Sequence, residues 1–546
     1  MGLHAMKPKK SFVNWFKFLV PPVVIGFIFL SGMLLLFSNA SPETPARLKW
    51  LRNFISLPVI EFSHFLASIV GLGLIFLAKS LLRRLDSAYV VTLILLFLGS
   101  VLSILKGFNY EEAIILGVLF VALLSCRKFF YRKGSLLMES FSPGWFAVIL
   151  AIVGCFVGLG FFSYKHVEYS NELWWKFELS GNVPRFLRAT VGLFICILFV
   201  LLKKLLSPGI VKFSEPDAAS VDKAERILKA CARSSANLVF LKDKSIFYNK
   251  KGNCFVMYRI KGHSWVVLGD PVGPLEEWGT TIREFLTQCD LYNGMAVFTE
   301  ISKKQLSLYL DMGFSLLKLG EEARIHLPSF SLEAPHARNL RYVLKKTHER
   351  GFGFSIVFPP HDGALWPRLM QISDAWLKTK KTKEKQFSLG FYNEAYLSRF
   401  PLALVTLQDE IMAFANIWLG AHREEFSIDL MRYLPGEGFY GIMDLLFAEL
   451  TLWGKAEGYE WFNLGMAPLS GMEDHEFSPL WHRIENLIYR YGENFYNFKG
   501  LRKYKEKFYP VWESRYLAYP AGGSLLVILG DILTITSGGL IGTKRR

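Results

Sequence analysis

Residues 425–464 read EFSIDLMRYLPGEGFYGIMDLLFAELTLWGKAEGYEWFNL. Glu425–Met431 has the pattern of a strand, and Pro435-Gly436-Glu437-Gly438 is a glycine-bearing loop. Residues near 440–457 follow with helical character, and Trp461–Leu464 forms a second strand. Upstream lie strands at Leu402–Leu407 and Ile411–Leu419, helices near 363–380 and 393–399, and a strongly basic helix near 336–350 with Arg338, Arg341, Lys345, Lys346 and Arg350.

An earlier unit has the same character. A helix over Ala219–Cys231 precedes strands at Ser245–Tyr248, Cys254–Ile260 and Trp265–Leu268, the last ending in the turn signal Gly269-Asp270-Pro271. A helix near 275–289, the strand Gly294–Thr299, a helix near 303–312 and the strand Phe314–Leu319 complete it. The fold class expected is α/β (α+β), with two acetyltransferase-like (GNAT) folds in tandem, at 211–335 and 336–520. In such folds the glycine loop and helix N-terminus commonly hold a pyrophosphate. Here Arg432 to Gly438 departs by one residue from R/Q-x-x-G-x-G/A, and Glu437 adds a negative charge, which speaks against coenzyme A.

The first 210 residues differ in kind. Apolar runs at 18–38, 57–78, 88–105, 111–126, 144–163 and 188–206 approach the roughly 20 residues that cross a bilayer. They imply a membrane domain of about six helices, with a helix start at Pro21-Pro22 and no cleaved signal peptide. Of the net charge of +16, this half carries +12, from 21 Lys and Arg against 9 Asp and Glu. Lys7, Lys9, Lys10 and Lys17, then Lys79, Arg83 and Arg84, then Arg127, Lys128, Arg132 and Lys133, and finally Lys203 and Lys204 mark alternate connections. The positive-inside rule places these, and both termini, in the cytoplasm. Whole-chain basicity is therefore no argument for nucleic-acid binding. Glu61 and His64 stand one turn apart near the start of the second run, a place for a lipid headgroup or for interfacial side chains. The six cysteines at 126, 155, 196, 231, 254 and 289 form no CxxC pair and no zinc spacing, so neither a metal nor a disulfide framework is expected.

Several ordered motifs carry a resemblance: VVLGDPVG at 266–273, RNLRYVLKKTHERGFGF at 338–354, FSLGFYNEAYL at 387–397 and IDLMRY at 428–433. They continue with GIMDLLF at 441–447, FNLGMAPLSG at 462–471 and YRYGENFYNFKGLRKYKEKFYPVWESRYLAYP at 489–520. Over roughly 215–520 the chain resembles the phosphatidylglycerol lysyltransferases, the multiple-peptide-resistance-factor family of bacterial aminoacyl-phosphatidylglycerol synthases. Larger members carry more spans, including a lipid-flipping module. The resemblance implies transfer of an aminoacyl group, lysyl by family frequency and alanyl as the alternative, from aminoacyl-tRNA to a glycerol hydroxyl of phosphatidylglycerol. It implies no cofactor and no metal, a multi-pass location in the bacterial cytoplasmic membrane with the catalytic part in the cytoplasm, and resistance to cationic antimicrobial peptides. Partners are then aminoacyl-tRNA, phosphatidylglycerol and the membrane, with a homo-oligomer among the assemblies allowed.

The resemblance also assigns residues. Asp429 and Arg432 match the family's D-x-x-R pair: Asp429 orients the α-ammonium or accepts a proton, and Arg432 holds a phosphate or fixes Asp429. Lys505 and Lys507 fall in the terminal basic motif with Arg502 and Lys503, suited to the tRNA acceptor end or the lipid phosphate. Tyr496, Phe498 and Tyr504 are candidates to stack on unpaired bases. Glu485 is a further catalytic candidate for the aminoacyl amine. Arg338, Arg341, Lys345 and Lys346, with the run Lys378–Lys385, are the remaining phosphate-contact patches. Asp270 reads as a turn residue, and the apolar tail 521–546, ending Lys544-Arg545-Arg546, as a segment resting on the membrane surface. Competing readings are the tandem-fold enzymes that add amino acids to peptidoglycan precursors, and a lipid flippase or transporter with a regulatory cytoplasmic half. No G-x-S-x-G elbow or His triad supports a serine hydrolase.

Overall fold

The computed structural model describes residues 9–40, 57–132, 215–380, 384–436, 441–471 and 498–537, with isolated positions between 53 and 197. Two compact units make up the chain, one over Met1–Gly209 with Asp290–Asn293 and one over Ile210–Cys289 and Gly294–Arg546.

In the first unit, helices α1 (Lys9–Ala40), α2 (Leu57–Leu82), α3 (Asp86–Gly107) and α4 (Tyr110–Ser125) are described. Three segments among the described residues are long and apolar enough to cross a membrane: Pro21–Ser38, Phe62–Leu82 and Asp86–Gly107. Helix α4, with 16 residues, is shorter than a full span. The fifth and sixth apolar runs lie largely outside the described residues. Pro21 and Pro22 lie inside α1 rather than at its start; an apolar helix tolerates proline where neighbouring groups satisfy the freed backbone. Helices α1 and α2 meet at Gly32 and Gly71, where a Cβ on either would come within 2.7–2.8 Å of the other's carbonyl oxygen. Close backbone approach through small residues is how helices pack where lipid removes the hydrophobic drive. Buried Lys106 pairs with Glu112 at 2.9 Å and donates to Ser38 Oγ at 3.0 Å, tying α1, α3 and α4. His64 is buried, and the side chain of Glu61 lies outside the described residues.

Among the described residues the second unit is built on one mixed sheet of eleven strands. In chain order its elements are α5 (Ala218–Leu228), β1 (Ser245–Tyr248), β2 (Phe255–Lys261), β3 (Ser264–Leu268), α6 (Leu275–Leu291), β4 (Met295–Ser302), α7 (Leu306–Asp311) and β5 (Phe314–His326). Then follow α8 (Arg338–Glu349), β6 (Phe352–Val357), α9 (Leu365–Lys380), α10 (Glu394–Leu397), β7 (Leu402–Leu407), β8 (Glu410–Leu419) and β9 (Glu425–Tyr433). The last are α11 (Ile442–Ala456), β10 (Trp461–Pro468), α12 (Phe498–Glu506), β11 (Val511–Pro520) and α13 (Leu525–Thr536). The sheet order is β1-β2-β3-β4-β11-β5-β10-β9-β8-β7-β6.

That order contains an internal repeat with an exchange. An antiparallel meander leads to β3, helix α6 crosses over, and β4 returns parallel to β3. Likewise β7, β8 and β9 lead through α11 to β10, parallel to β9. This strand–helix–parallel strand unit is the acetyltransferase-like core, present twice. Each half's last strand then pairs with the other half: β11 lies against β4, and β5 lies against β10. Strands β5 and β11 pair with each other over ten register positions at the centre. Neither half completes its sheet alone, and the shared sheet continues across residues 335–336.

Apolar packing follows the same plan. In the second half Phe426 stacks on Phe462 with centroids 4.3 Å apart, beneath α11. In the first half Phe285 of α6 meets Trp265 and Phe298 of the sheet edge-on. The strand expected to end at Leu319 is longer, and two further strands have no counterpart among those expected from the sequence. Strand β5 runs on to His326 because its second part pairs with β10 and β11. Strand β6 is one of the sheet's two outer edges, and β11 lies in the stretch read for its charges. In the tail, α13 packs on β2 and β3 with Leu525 and Ile528 buried, leaving Leu526 and Val527 outward. Residues 538–546 lie outside the described residues.

The exchange has a measurable consequence. A chain ending at Pro510 is expected to lose hydrogen-exchange protection in β4, more than 200 residues upstream in sequence, because β11 is its partner. A chain ending at Ala521 should keep it. Retained β4 protection in the shorter chain would contradict the shared sheet.

Candidate active site

The opening in the sheet originates at Ser427 and Asn463. Strands β9 and β10 pair only at Glu425↔Trp461, Phe426↔Phe462 and Ser427↔Asn463. There the Ser427 hydroxyl donates to the Asn463 carbonyl at 2.7 Å, and Asn463 Oδ1 accepts from the Gly465 amide at 2.8 Å. Side chains thus take ladder partners, and β10 slips register between Asn463 and Met466. In the first half, β3 and β4 stay paired over five positions, to Leu268↔Thr299. A cavity of about 1110 Å³ includes Asp429, Asn463 and Gly465 in its wall. Its lining is largely apolar, including Met257, Leu268, Leu317 and Ile532, with Glu300, Glu322, Asp429, Lys505 and Arg515 among the charged groups.

Asp429 projects from β9 into this wall. Its Oδ1 accepts the Gly390 amide at 2.7 Å and its Oδ2 accepts the Tyr396 hydroxyl at 2.6 Å. Trp418 Nε1 donates to that hydroxyl at 2.8 Å. A Cβ at Gly390 would fall 1.8 Å from Asp429 Oδ2, so no side chain fits there. Burial pushes the Asp429 carboxyl up to about 6, against the lowering effect of the Tyr396 and Gly390 hydrogen bonds and of Lys244 and Arg432. The 387–390 segment is clamped at its start: Lys244 donates to the Phe387 carbonyl at 2.8 Å, and the Phe387 amide donates to Asp243 at 2.9 Å.

Arg432 takes a different partner. It pairs with Glu384 at 2.9 Å and lies 4.2 Å from the Trp376 ring centroid. A bulge in β9 between Ile428 and Met431 interrupts the strand's alternation between the two ends of D-x-x-R. Asp429 stands in the cavity wall and Arg432 makes its direct ion pair with Glu384, while the two charges still act on each other. Trp376 itself lines the cavity, so Arg432 backs that wall.

Lys505 comes from α12 and is buried, at 6% exposure. Its Nζ donates to the carbonyls of Gly465 and Met466 at 2.9 and 3.0 Å, in the irregular part of β10. Burial lowers the ammonium to about 8, while Glu322 opposes the shift. Glu322 is ion-paired with Arg515. Glu300, at the end of β4, is raised to about 7 by burial and then by Glu322, while Arg515, Ser388 and Arg233 lower it. Ionisable groups shifted toward neutrality inside one cavity are suited to proton transfer and to recognising charged ligands.

The other expected residues are distributed as follows. Arg502 pairs with Glu321 at 2.7 Å and Glu506 at 3.0 Å, and Lys507 with Asp444 at 3.0 Å. Lys503 is exposed on α12. Tyr504 packs edge-on against Phe447 and Phe508 and reaches the cavity, so it anchors α12 rather than standing free. On α8, Arg338, Lys345 and Lys346 are exposed, whereas Arg341 donates to the Leu332 and Ala334 carbonyls. None of these four lines the cavity. Lys380 and Lys385 do. Asp270 accepts from the Ser302 amide and the Tyr309 hydroxyl, both at 2.9 Å, as a turn residue does. Glu485, Tyr496, Glu437, Gly438, Lys381 and Lys383 lie outside the described residues, as does the side chain of Phe498. Among the described residues no group of His, Cys, Asp or Glu side chains is arranged for a metal. Sequence reasoning missed Glu300, Glu322, Tyr396 and Lys244; the glycine in FSLGFY was the local signal for the Asp429 clamp.

Residues 225–519 match the family described as phosphatidylglycerol lysyltransferase, C-terminal. The phosphatidylglycerol lysyltransferase of Bacillus subtilis is 32% identical over 511 residues, covering 92% of this chain and 58% of that one. That of Staphylococcus aureus (strain MRSA252) is 33% identical over 320 residues, covering 58% of this chain and 38% of the other. The chain thus spans about half the length of these relatives. Among solved structures, a C-terminal domain assigned to a lysylphosphatidylglycerol synthetase of Agrobacterium fabrum superposes with a TM-score of 0.54 at 36% identity, covering 60% of this chain and 99% of that one. L-PGS from Bacillus licheniformis gives 0.53 at 36% identity, with the same coverage.

The glycine contact yields a thermodynamic test. Gly390→Ala is expected to destabilise by about 2–4 kcal/mol, the cost of displacing a hydrogen-bonded buried group. The double variant Gly390→Ala/Asp429→Ala should recover part of that loss in urea unfolding, since truncation clears the space. Strictly additive losses would show that the two positions do not collide.

Proposed function

The chain belongs to the phosphatidylglycerol lysyltransferase family, and from that premise we propose that it transfers a lysyl group from aminoacyl-tRNA to a glycerol hydroxyl of phosphatidylglycerol. The observation that carries this reading is the placement of Asp429 and Lys505 in the wall of one largely apolar cavity. A charged RNA ester and a phospholipid alcohol need such a place, polar at a few points and otherwise dry.

The chemistry asks for alignment more than for activation. The lipid hydroxyl oxygen bonds to the ester carbonyl carbon, the bond from that carbon to the ribose oxygen breaks, and the hydroxyl proton ends on the ribose oxygen. The donor ester is already activated, so positioning and exclusion of water supply most of the rate. Asp429 is placed to hold the α-ammonium of the aminoacyl group or to accept the proton in transit. Lys505 has three N–H donors and spends two on Gly465 and Met466, leaving one for a phosphate or for the carbonyl oxygen as charge develops on it. Arg432 acts from behind through Trp376 and Glu384. The exposed cations of α8 and Lys503 are proposed to meet the tRNA backbone, where contact is electrostatic and salt-dependent.

In this reading the apolar helices cross the bacterial cytoplasmic membrane and the sheet unit faces the cytoplasm, following the loop charges. A lysyl group turns a lipid of charge −1 into one of +1, which weakens attraction for cationic antimicrobial peptides.

The decisive assay is purified protein with phosphatidylglycerol vesicles and tRNA carrying radiolabelled lysine. Labelled lipid should form and should vanish if RNase is added first; no labelled lipid from any aminoacyl-tRNA contradicts the proposal. Single-turnover transfer, corrected for spontaneous ester hydrolysis, should be bell-shaped in pH. The acid limb lies near 6, where Asp429 takes up a proton and loses its charge, and the alkaline limb near 8, where Lys505 loses its proton. A flat profile between roughly pH 5 and pH 9 would remove both groups from the mechanism.

A further inference from the structure

We propose that Glu300 receives the side-chain ammonium of the aminoacyl group while Asp429 holds its α-ammonium, so that the cavity selects a lysyl donor. This rests on the transferase reading and deepens it.

Four observations converge on the pair. Both carboxylates line the same cavity, although one comes from the first half of the sheet and the other from the second. Both are met by one short segment: the Gly390 amide donates to Asp429, and the Ser388 hydroxyl sits against Glu300. Positions two apart span at most about 7 Å of chain, so the two acids belong to one small recognition surface. Among the described residues neither acid is ion-paired with a Lys or Arg, whereas neighbouring Glu322 is paired with Arg515. Finally, Glu300 has φ +60°, a left-handed conformation unusual for a residue with a long side chain. Such strain concentrates where a structure positions a ligand.

The chemistry of the donor fits two acids that lack a direct ion pair. An enclosed carboxylate without a cation is costly, and the cost falls when a ligand supplies the charge. A lysyl ester carries two ammonium groups joined by four methylenes, which the apolar lining accommodates. An alanyl ester carries one and would leave Glu300 unanswered. Burial and the neighbouring Glu322 raise Glu300 to about 7 although Arg515, Ser388 and Arg233 act the other way, so a ligand ammonium would add to a compensation that is incomplete.

The test uses the full chain, phosphatidylglycerol vesicles and tRNA chemically charged with lysine, norleucine or alanine. Norleucine keeps the length of lysine and replaces the terminal ammonium by a methyl group. The wild-type protein should favour lysyl over norleucyl donor by at least about 100-fold in kcat/KM, as expected where a site is built to bind a charged group. Glu300→Gln should collapse that ratio toward unity. Asp429→Asn should lower transfer from both donors and leave the ratio in place. A wild-type protein that uses both donors equally overturns the assignment without any variant having to fold. So does Glu300→Gln if it keeps the preference or slows both donors alike. Transfer from none of the three removes the transferase reading, and this assignment with it.

Discussion

Parting of β9 and β10 after Ser427 and Asn463 is the constraint from which the site follows. Two parallel strands joined by a helix ordinarily keep their ladder, as β3 and β4 do over five positions. In the second half, Ser427 and Asn463 offer hydroxyl and amide groups where the next ladder bonds would form, and the strands separate. Separation leaves backbone groups that need partners. The Lys505 ammonium satisfies two carbonyls of the irregular stretch, and the cavity wall there is completed by Asp429. A break in regular structure and a buried cation thus have one cause.

The exchange of β5 and β11 explains how the wall acquires groups from both halves. Because β11 inserts beside β4 and β5 beside β10, Glu300 and Arg515 are brought to the same cavity as Asp429 and Lys505. A tandem of independent folds would give each half its own cleft. Here the first half contributes a closed sheet and an acid at its edge, and the second contributes the opening. Division of labour of this kind is consistent with a single site assembled across a pseudo-symmetric pair.

Much of this was legible in residues 425–464, where strand, loop, helix and strand appear in the sequence as β9, α11 and β10 do in space. Asp429 was legible as the acid of a short motif, and Lys505 as one of a run of cations. Which cation in that run is buried could not be read, because Arg502, Lys503, Lys505 and Lys507 differ only in the face of α12 that each occupies. Glu300 was invisible for another reason: it is one acid at a strand end, and its meaning depends on Ser388 and Asp429, 88 and 129 positions away. Arg432 was read as holding a phosphate or fixing Asp429; its direct ion pair with Glu384 had no local signal in the sequence, and its charge still acts on Asp429. Strand exchange leaves no local signature, so β11 was read for its charges and not for its place in the sheet.

The central claim is that the cavity beside the parted strands is where lipid alcohol and RNA ester meet. Photo-crosslinking with a phosphatidylglycerol analogue bearing a diazirine on its glycerol headgroup, followed by peptide mass spectrometry, tests it most directly. The account places the label on peptides containing Asp429, Gly465 or Lys505, with labelling reduced when lysyl-tRNA is present. Label confined to the exposed face of α8 or to α12 outside the cavity, unaffected by the charged RNA, would contradict it.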